Sequence, residues 1–310
     1  MTTASFTDLY LPEFSDMLPA PVIEPVPDVL INPSSCSSVN ADILRLDAIH
    51  PTVSGNKWYK LKYNILDAHK LGFDHLLSFG GMHSNHLHAL AAAGQYLGFK
   101  TTAIVRGYPD QPLSRTIQEC QQMGMQIELV DKVTYRRRYE KSWCEELAAI
   151  HNAFVIPEGG NNAAGQLGCQ EIVRFCEGYD EVWLSIGSGA TYTGILQGLC
   201  ADQALVGVMA LKGAAELVSE LWCARPDGIA RRIVADAHWG GFAKCPAELV
   251  EFIRLADSRG LPLDPVYTAK LIYAFRQYVA GAEFDVSKRY LLIHTGGLQG
   301  RAGIKALSAL

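Results

Sequence analysis

A lysine in the run Ser54-Gly55-Asn56-Lys57 and a small-residue loop, Gly187-Ser188-Gly189-Ala190-Thr191, are the residues best suited to do chemistry here. A lysine amine can hold an aldehyde as a Schiff base if the chain approaches closely, and a preceding glycine removes the Cβ that would stand in the way. Asn56 places a polar amide beside it, while Lys60 and Lys62, in the helical segment behind, read as solvated or ion-paired residues. The second run follows an apolar stretch and opens a helical one. Its free backbone N–H groups and the helix dipole favour an anion there, and Ser188 and Thr191 add hydroxyl donors. It lacks the G-x-G-x-x-G spacing of a dinucleotide loop and the lysine of a P-loop, so a single phosphate monoester fits it better.

The run Gly80-Gly81-Met82-His83-Ser84-Asn85-His86 has the same placement, after an apolar stretch and before a helical one. Ser84 reads as an N-cap, and an amide in the first helical turn at a sheet's carboxyl edge, here Asn85, points into the cleft where ligands bind. His83, His86 and His88 do not share one helical face, so no metal site is expected. An aldehyde held by lysine together with one phosphate points to pyridoxal phosphate.

These residues need elements to position them. Short apolar runs alternate with helical periodicity: Phe73 to Phe79, Ser84 to Leu97, Thr101 to Val105, Ser114 to Met123, Gln126 to Val130, Tyr135 to Ile150 and Phe154 to Ile156. Ala41 to Leu46 is a further strand, and a helix runs from Trp58 to a stop at Gly72. After the break Pro157-Glu158-Gly159-Gly160-Asn161-Asn162, the alternation resumes with Glu181 to Ile186, Thr191 to Cys200 and Val206 to Leu211, then helices Pro246 to Ser258 and Thr268 to Ala280. Such alternation predicts parallel strands with crossover helices on both faces. Proline and acidic residues from Met1 to about Pro33 predict an extended arm laid over the body.

The chain has 310 residues, 49% hydrophobic and 19% charged, enough for a large core or two lobes. With net charge −5 and no basic run longer than Arg136-Arg137-Arg138, which reads as a solvated helix face, nucleic acid is not a partner. Eight cysteines without a C-x-x-C pair read as reduced thiols. No signal segment or membrane span is written, so the expectation is a cytoplasmic enzyme.

Five segments, in order, resemble the 1-aminocyclopropane-1-carboxylate (ACC) deaminase and D-cysteine desulfhydrase family. They are Ser54-Gly55-Asn56-Lys57 with Lys60-Leu61-Lys62-Tyr63, the runs at Gly80 and Gly187, Leu263-Asp264-Pro265-Val266-Tyr267-Thr268-Ala269-Lys270, and Ile293-His294-Thr295-Gly296-Gly297. The resemblance spans roughly Ile43 to Gly297. It implies the α/β architecture of fold type II pyridoxal phosphate enzymes, with two open twisted, mostly parallel sheets flanked by helices. The domains would be 1–60 with 163–310 as the large cofactor-binding domain and 61–162 as the smaller one. By the same resemblance Lys57 would hold the cofactor, Asn85 its 3-hydroxyl oxygen, and Ser188, Gly189, Ala190 and Thr191 its phosphate. Ser84 would meet the substrate carboxylate beside Asn85, and Tyr267 would act beside the ring. A homodimer is implied.

ACC deaminases carry glutamate after that tyrosine and leucine before the last Gly-Gly; this chain has Thr268 and Thr295, the pattern of the desulfhydrase branch. One of these threonines would meet the pyridine nitrogen. Phe242 stands where characterised members usually have a second active-site tyrosine. The expected function is deamination by β-elimination, D-cysteine giving pyruvate, ammonia and hydrogen sulfide. The alternatives are ACC deaminase, giving 2-oxobutanoate and ammonia, and a non-catalytic pyridoxal phosphate carrier.

Overall fold

The computed structural model describes residues 18–32, 38–53, 55–213, 215–223, 228–241 and 244–307. Residues 1–17 of the N-terminal arm, Cys36, Ser54 and Phe242 lie outside them. The chain begins with strand β1 (Val22–Pro25), a short helix α1 (Asp28–Ile31) and strand β2 (Ala41–Arg45). Strands β3 (His75–Gly81), β4 (Lys100–Arg106), β5 (Gln126–Val130) and β6 (Phe154–Ile156) follow. They are interleaved with helices α2 (Asn56–Lys70), α3 (Asn85–Leu97), α4 (Arg115–Gln122), α5 (Lys132–Arg136) and α6 (Lys141–His151). Next come α7 (Ala163–Gln170), β7 (Glu181–Ile186), α8 (Ala190–Gly198), β8 (Ala204–Met209) and α9 (Ala215–Cys223). The series closes with β9 (Ala230–Val234), α10 (Ala247–Asp257), α11 (Thr268–Val279) and β10 (Tyr290–His294).

Two sheets result, in the orders β1-β2-β10-β7-β8-β9 and β5-β4-β3-β6. Every pairing is parallel except β1 with β2. The central strands β7 and β10 are buried along their whole length, as strands between two helix layers must be. Successive residues serve opposite faces: Leu44, Leu184 and Ile293 enter one core, while Ile43, Trp183 and Leu292 enter the other. Most of the alternation expected from periodicity is present, with β5, β6 and β7 at the expected limits.

Three expectations are corrected. The arm is not merely laid over the body: β1 pairs with β2 at the sheet's edge, and α1 buries Leu30 and Ile31 completely. Pro25 is compatible with this because an edge strand leaves one side without ladder partners. The helix expected from Tyr135 to Ile150 is interrupted, with α5 ending at Arg136, a tight turn at Arg137–Tyr139 and α6 starting at Lys141. Nor is Arg138 a solvated side chain. Its guanidinium lies 4.4 Å from the Tyr135 ring centroid and 4.1 Å from that of Tyr139, and its Nε donates to Glu158 at 2.6 Å.

Candidate active site

Because β2, β10 and β7 are parallel neighbours, the loops leaving their carboxyl ends gather at one edge. Those loops carry Gly55 to Lys57, Thr295 to Gly297 and Gly187 to Thr191. Gly55 has φ 69° and ψ −153°, and a Cβ there would stand 2.1 Å from the Thr295 carbonyl oxygen. Asn56 ties the loops together: its backbone N–H donates to the Thr295 carbonyl (3.2 Å) and its Nδ2 to Thr191 Oγ1 (2.7 Å). Its remaining amide oxygen accepts from Lys57 Nζ at 2.6 Å. The glycine–asparagine–lysine run is thus a three-way junction at the sheet edge.

Burial, joined by the neighbouring Lys60 ammonium, pushes the Lys57 amine down to about 7. Lys60 corrects the sequence reading, which left it as a solvated or ion-paired residue behind Lys57. It is buried on the same helical face, three residues on, and its Nζ donates to Ser188 Oγ at 3.3 Å. Lys62 does follow that reading, pairing with Glu171. We expect Lys60→Met to raise the Lys57 pKa above about 7, since removal of a like charge eases protonation. The pH at which apoprotein captures a free aldehyde at half its maximal rate should therefore move upward, and an unchanged midpoint would show that the two amines do not sense each other.

The helix starts around the site are provided for differently. Ser84 Oγ accepts from the Leu87 N–H (3.2 Å) at the start of α3. Ahead of α11, the Asp264 carboxylate accepts from the N–H groups of Val266, Tyr267 and Thr268 at 2.9, 2.7 and 2.7 Å. At α8 no side chain caps the helix, and Gly189 takes φ 89°, so the first-turn N–H groups of Ala190 and Thr191 are left to an external anion. Thr191 Oγ1 accepts from Asn56, which leaves its own proton to donate. The loop after β6 closes over this point: a Cβ on Gly159 would stand 3.0 Å from Ser188 Oγ, and one on Gly160 3.0 Å from Lys60 Cβ.

The other expected residues border the same space. Asn85 opens α3 with its Oδ1 buried and without a hydrogen-bond partner, and its Nδ2 is 3.0 Å from where a Cβ on Gly297 would lie. Ser84 spends a lone pair on capping but keeps a hydroxyl proton. Tyr267 reaches the phosphate-type loop, because a Cβ on Gly187 would be 3.3 Å from its phenol oxygen, and burial holds that phenol well above the ordinary tyrosine range. Thr268 is fully buried, its hydroxyl 3.4 Å from His294 Nδ1. That imidazole accepts the Gly296 N–H at Nδ1 (3.1 Å), so Nε2 carries the proton shared with the Pro262 carbonyl at 2.8 Å. Thr295 is buried at the end of β10.

Sequence reasoning missed Lys60, Asp264 and Glu158. The i, i+3 spacing of Lys57 and Lys60 could have pointed to the first, and an aspartate four residues before the helix expected from Thr268 to the second. Glu158, held by Tyr135, Arg138 and Tyr139, had no local signal. His86 donates or accepts at Ser78 Oγ (2.8 Å) and is pushed down to about 3 by burial, with the two lysines adding to the shift.

An uncapped helix start, two convergent amines and an orphaned buried amide fit the phosphate, aldehyde and ring oxygen of pyridoxal phosphate. Comparison with known proteins agrees. The family model described as pyridoxal-phosphate dependent enzyme matches residues 38–296. D-cysteine desulfhydrase of Salmonella typhi is 30% identical over 82% of this chain and 86% of its own. The crystal structure of an ACC deaminase homologue superposes with a TM-score of 0.80 at 26% identity, over 94% of this chain and 95% of that one. A threonine deaminase isoform of Solanum lycopersicum shares the fold with a TM-score of 0.64 at 16% identity, covering 94% of this chain and 82% of its own.

Proposed function

Since the chain belongs to the pyridoxal-phosphate dependent enzymes, in the fold type II group of the ACC deaminases and D-cysteine desulfhydrases, we propose that it deaminates a small amino acid by β-elimination, D-cysteine being the favoured substrate. One water is consumed, and the products are pyruvate, ammonia and hydrogen sulfide. The observation carrying this choice is that Thr268 and Thr295 offer buried hydroxyls while the carboxylates around them are already engaged, Asp47 beside His294 being held by Arg45. The buried Asp264 carboxylate is engaged by three backbone N–H groups and Glu158 by Tyr135, Arg138 and Tyr139. Neither is offered to a ring nitrogen. Thr268 is turned to His294, so Thr295 is the residue assigned to that nitrogen, with Thr268 supporting it.

When bound, the cofactor draws electrons away from the substrate's α-carbon. The α8 N–H groups, Ser188, Thr191 and Lys60 would hold its phosphate, and Asn85 its ring oxygen. Ser84 donates its hydroxyl proton to the substrate carboxylate. Lys57, with an amine pushed down to about 7, is part neutral at neutral pH and takes the proton from Cα. Tyr267 is kept protonated by burial and donates its proton to the departing sulfur. Lobes at 1–60 with 163–310 and at 61–162, a cytoplasmic location and a homodimer belong to the same proposal. Among the described residues no helix is long and apolar enough to cross a membrane.

The test is kcat/KM for keto acid release from D-cysteine and from ACC. We expect at least about a tenfold preference for D-cysteine, since a thiol is the better leaving group. A preference for ACC would reverse the choice.

A further inference from the structure

Lys270 lies on α11, three residues past Tyr267, and is 1% exposed. Its ammonium leaves the helix for a distant turn, donating to the carbonyls of His238 (3.0 Å) and Gly241 (2.8 Å). That turn is strained: Trp239 takes φ 55°, in the left-handed region that a bulky side chain rarely occupies, and Gly240 and Gly241 follow at φ 90° and 143°. A second contact from the same helical face holds it, the Trp239 ring meeting that of Tyr273 edge-on at 4.7 Å. The turn also closes on itself, with the Gly240 N–H on His238 Nδ1 (3.0 Å) and the Gly241 N–H on the His238 carbonyl (3.0 Å).

The turn's position is what makes it consequential. It leaves β9 at the carboxyl edge of the large sheet, and a Cβ on Gly241 would lie 3.9 Å from that of Lys212, just past the end of β8. This is the edge at which the loops after β2, β7 and β10 build the site. Asp264 fixes the start of α11, and with it Tyr267, while Lys270 fastens the turn to the same helix. A buried ammonium is costly compared with a packed methionine, but it supplies the two carbonyls with donors that an apolar side chain lacks. Phe242 follows Gly241 directly in the chain.

We propose that Lys270 is a positioning residue for substrate selection: it clamps the His238–Gly241 turn to the helix that carries Tyr267 and so sets the wall of the substrate space. The proposal rests on the function proposed above for its substrate, but the clamp itself is read separately. Lys270→Met removes the donors at nearly constant volume, and Lys270→Gln restores an N–H donor. In the Met variant of the holoenzyme, amide hydrogen exchange at residues 238–241 should accelerate at least tenfold with the rest of the chain unchanged. Cofactor affinity should stay within about twofold, KM for D-cysteine should rise at least tenfold with a smaller change in kcat, and the ratio of kcat/KM between D-cysteine and ACC should shift about fivefold or more. The Gln variant should recover part of each effect. Unchanged exchange at 238–241, or an unchanged substrate ratio with the turn loosened, would overturn the proposal, as would loss of cofactor and turnover by the same factor with exchange accelerated throughout. If the unaltered protein releases keto acid from neither amino acid, the functional proposal fails while hydrogen exchange still decides whether Lys270 holds the turn.

Discussion

Lys57→Ala is expected to lower keto acid release by at least about 10³-fold, the scale of losing a nucleophile and a general base together. The loss should come with a second signature. Borohydride reduction of the unaltered holoenzyme should leave the pyridoxyl label on Lys57, and the alanine variant should carry none. The control matters because Lys60 is a real competitor: its amine is buried in the same cleft, three residues along the same helical face, and burial lowers its pKa as well. What separates them is direction. Lys57 Nζ rests on Asn56 Oδ1 at the junction of the three loops, whereas Lys60 Nζ rests on Ser188 in the loop that leads into α8. A label on Lys60 in the unaltered protein would exchange their roles.

Gly55→Ala should be nearly as damaging although it touches no reacting atom. At φ 69° and ψ −153° the backbone is in a region essentially reserved for glycine, and the new Cβ would sit 2.1 Å from a backbone oxygen that cannot swing aside. Either β10's loop or the start of α2 must move. We expect a stability loss of roughly 3–5 kcal/mol in denaturant unfolding, the range of severe backbone and packing faults. Cofactor affinity should fall too, because the Asn56 N–H to Thr295 and Asn56 Nδ2 to Thr191 bonds are made by the adjacent residue. Stability and cofactor affinity both near those of the unaltered protein would mean that the close approach of these loops is not as described.

Local order was legible wherever it is a local property. Strands such as β5, β6 and β7 announce themselves as short apolar runs, and Ser84 and Ser114 mark helix starts because an N-cap is a choice made within four residues. The small-residue run from Gly187 marked an uncapped helix start for the same reason: helix starts carry free N–H groups whatever the rest of the fold does. Strand β9 gave a weaker signal, with Arg231-Arg232 inside it, and β10 was visible only as part of a motif. The break between α5 and α6 was hidden because nothing in residues 135–150 shows that Arg138 will be drawn to Glu158 across 20 positions.

The sequence by itself determined which reactive groups this protein carries: a lysine behind a glycine, a small-residue helix start, an amide and a tyrosine in recognisable runs, and a threonine pair in place of glutamate and leucine. It also determined the alternating architecture, since periodicity follows from how strands and helices present side chains to a core. Tertiary structure alone decided what each residue faces. Gly55 is required because β10, late in the chain, inserts between β2 and β7 and brings the Thr295 carbonyl against it. Asn56, separated from Thr191 by 135 positions, becomes the tie between loops, and Lys60 turns from a helix-surface lysine into a partner of Ser188. Lys270 is a lysine on a helix until the turn at 238–241 arrives beneath it. Such pairings depend on strand order and on which carboxyl ends share an edge, which residue spacing along the chain does not encode.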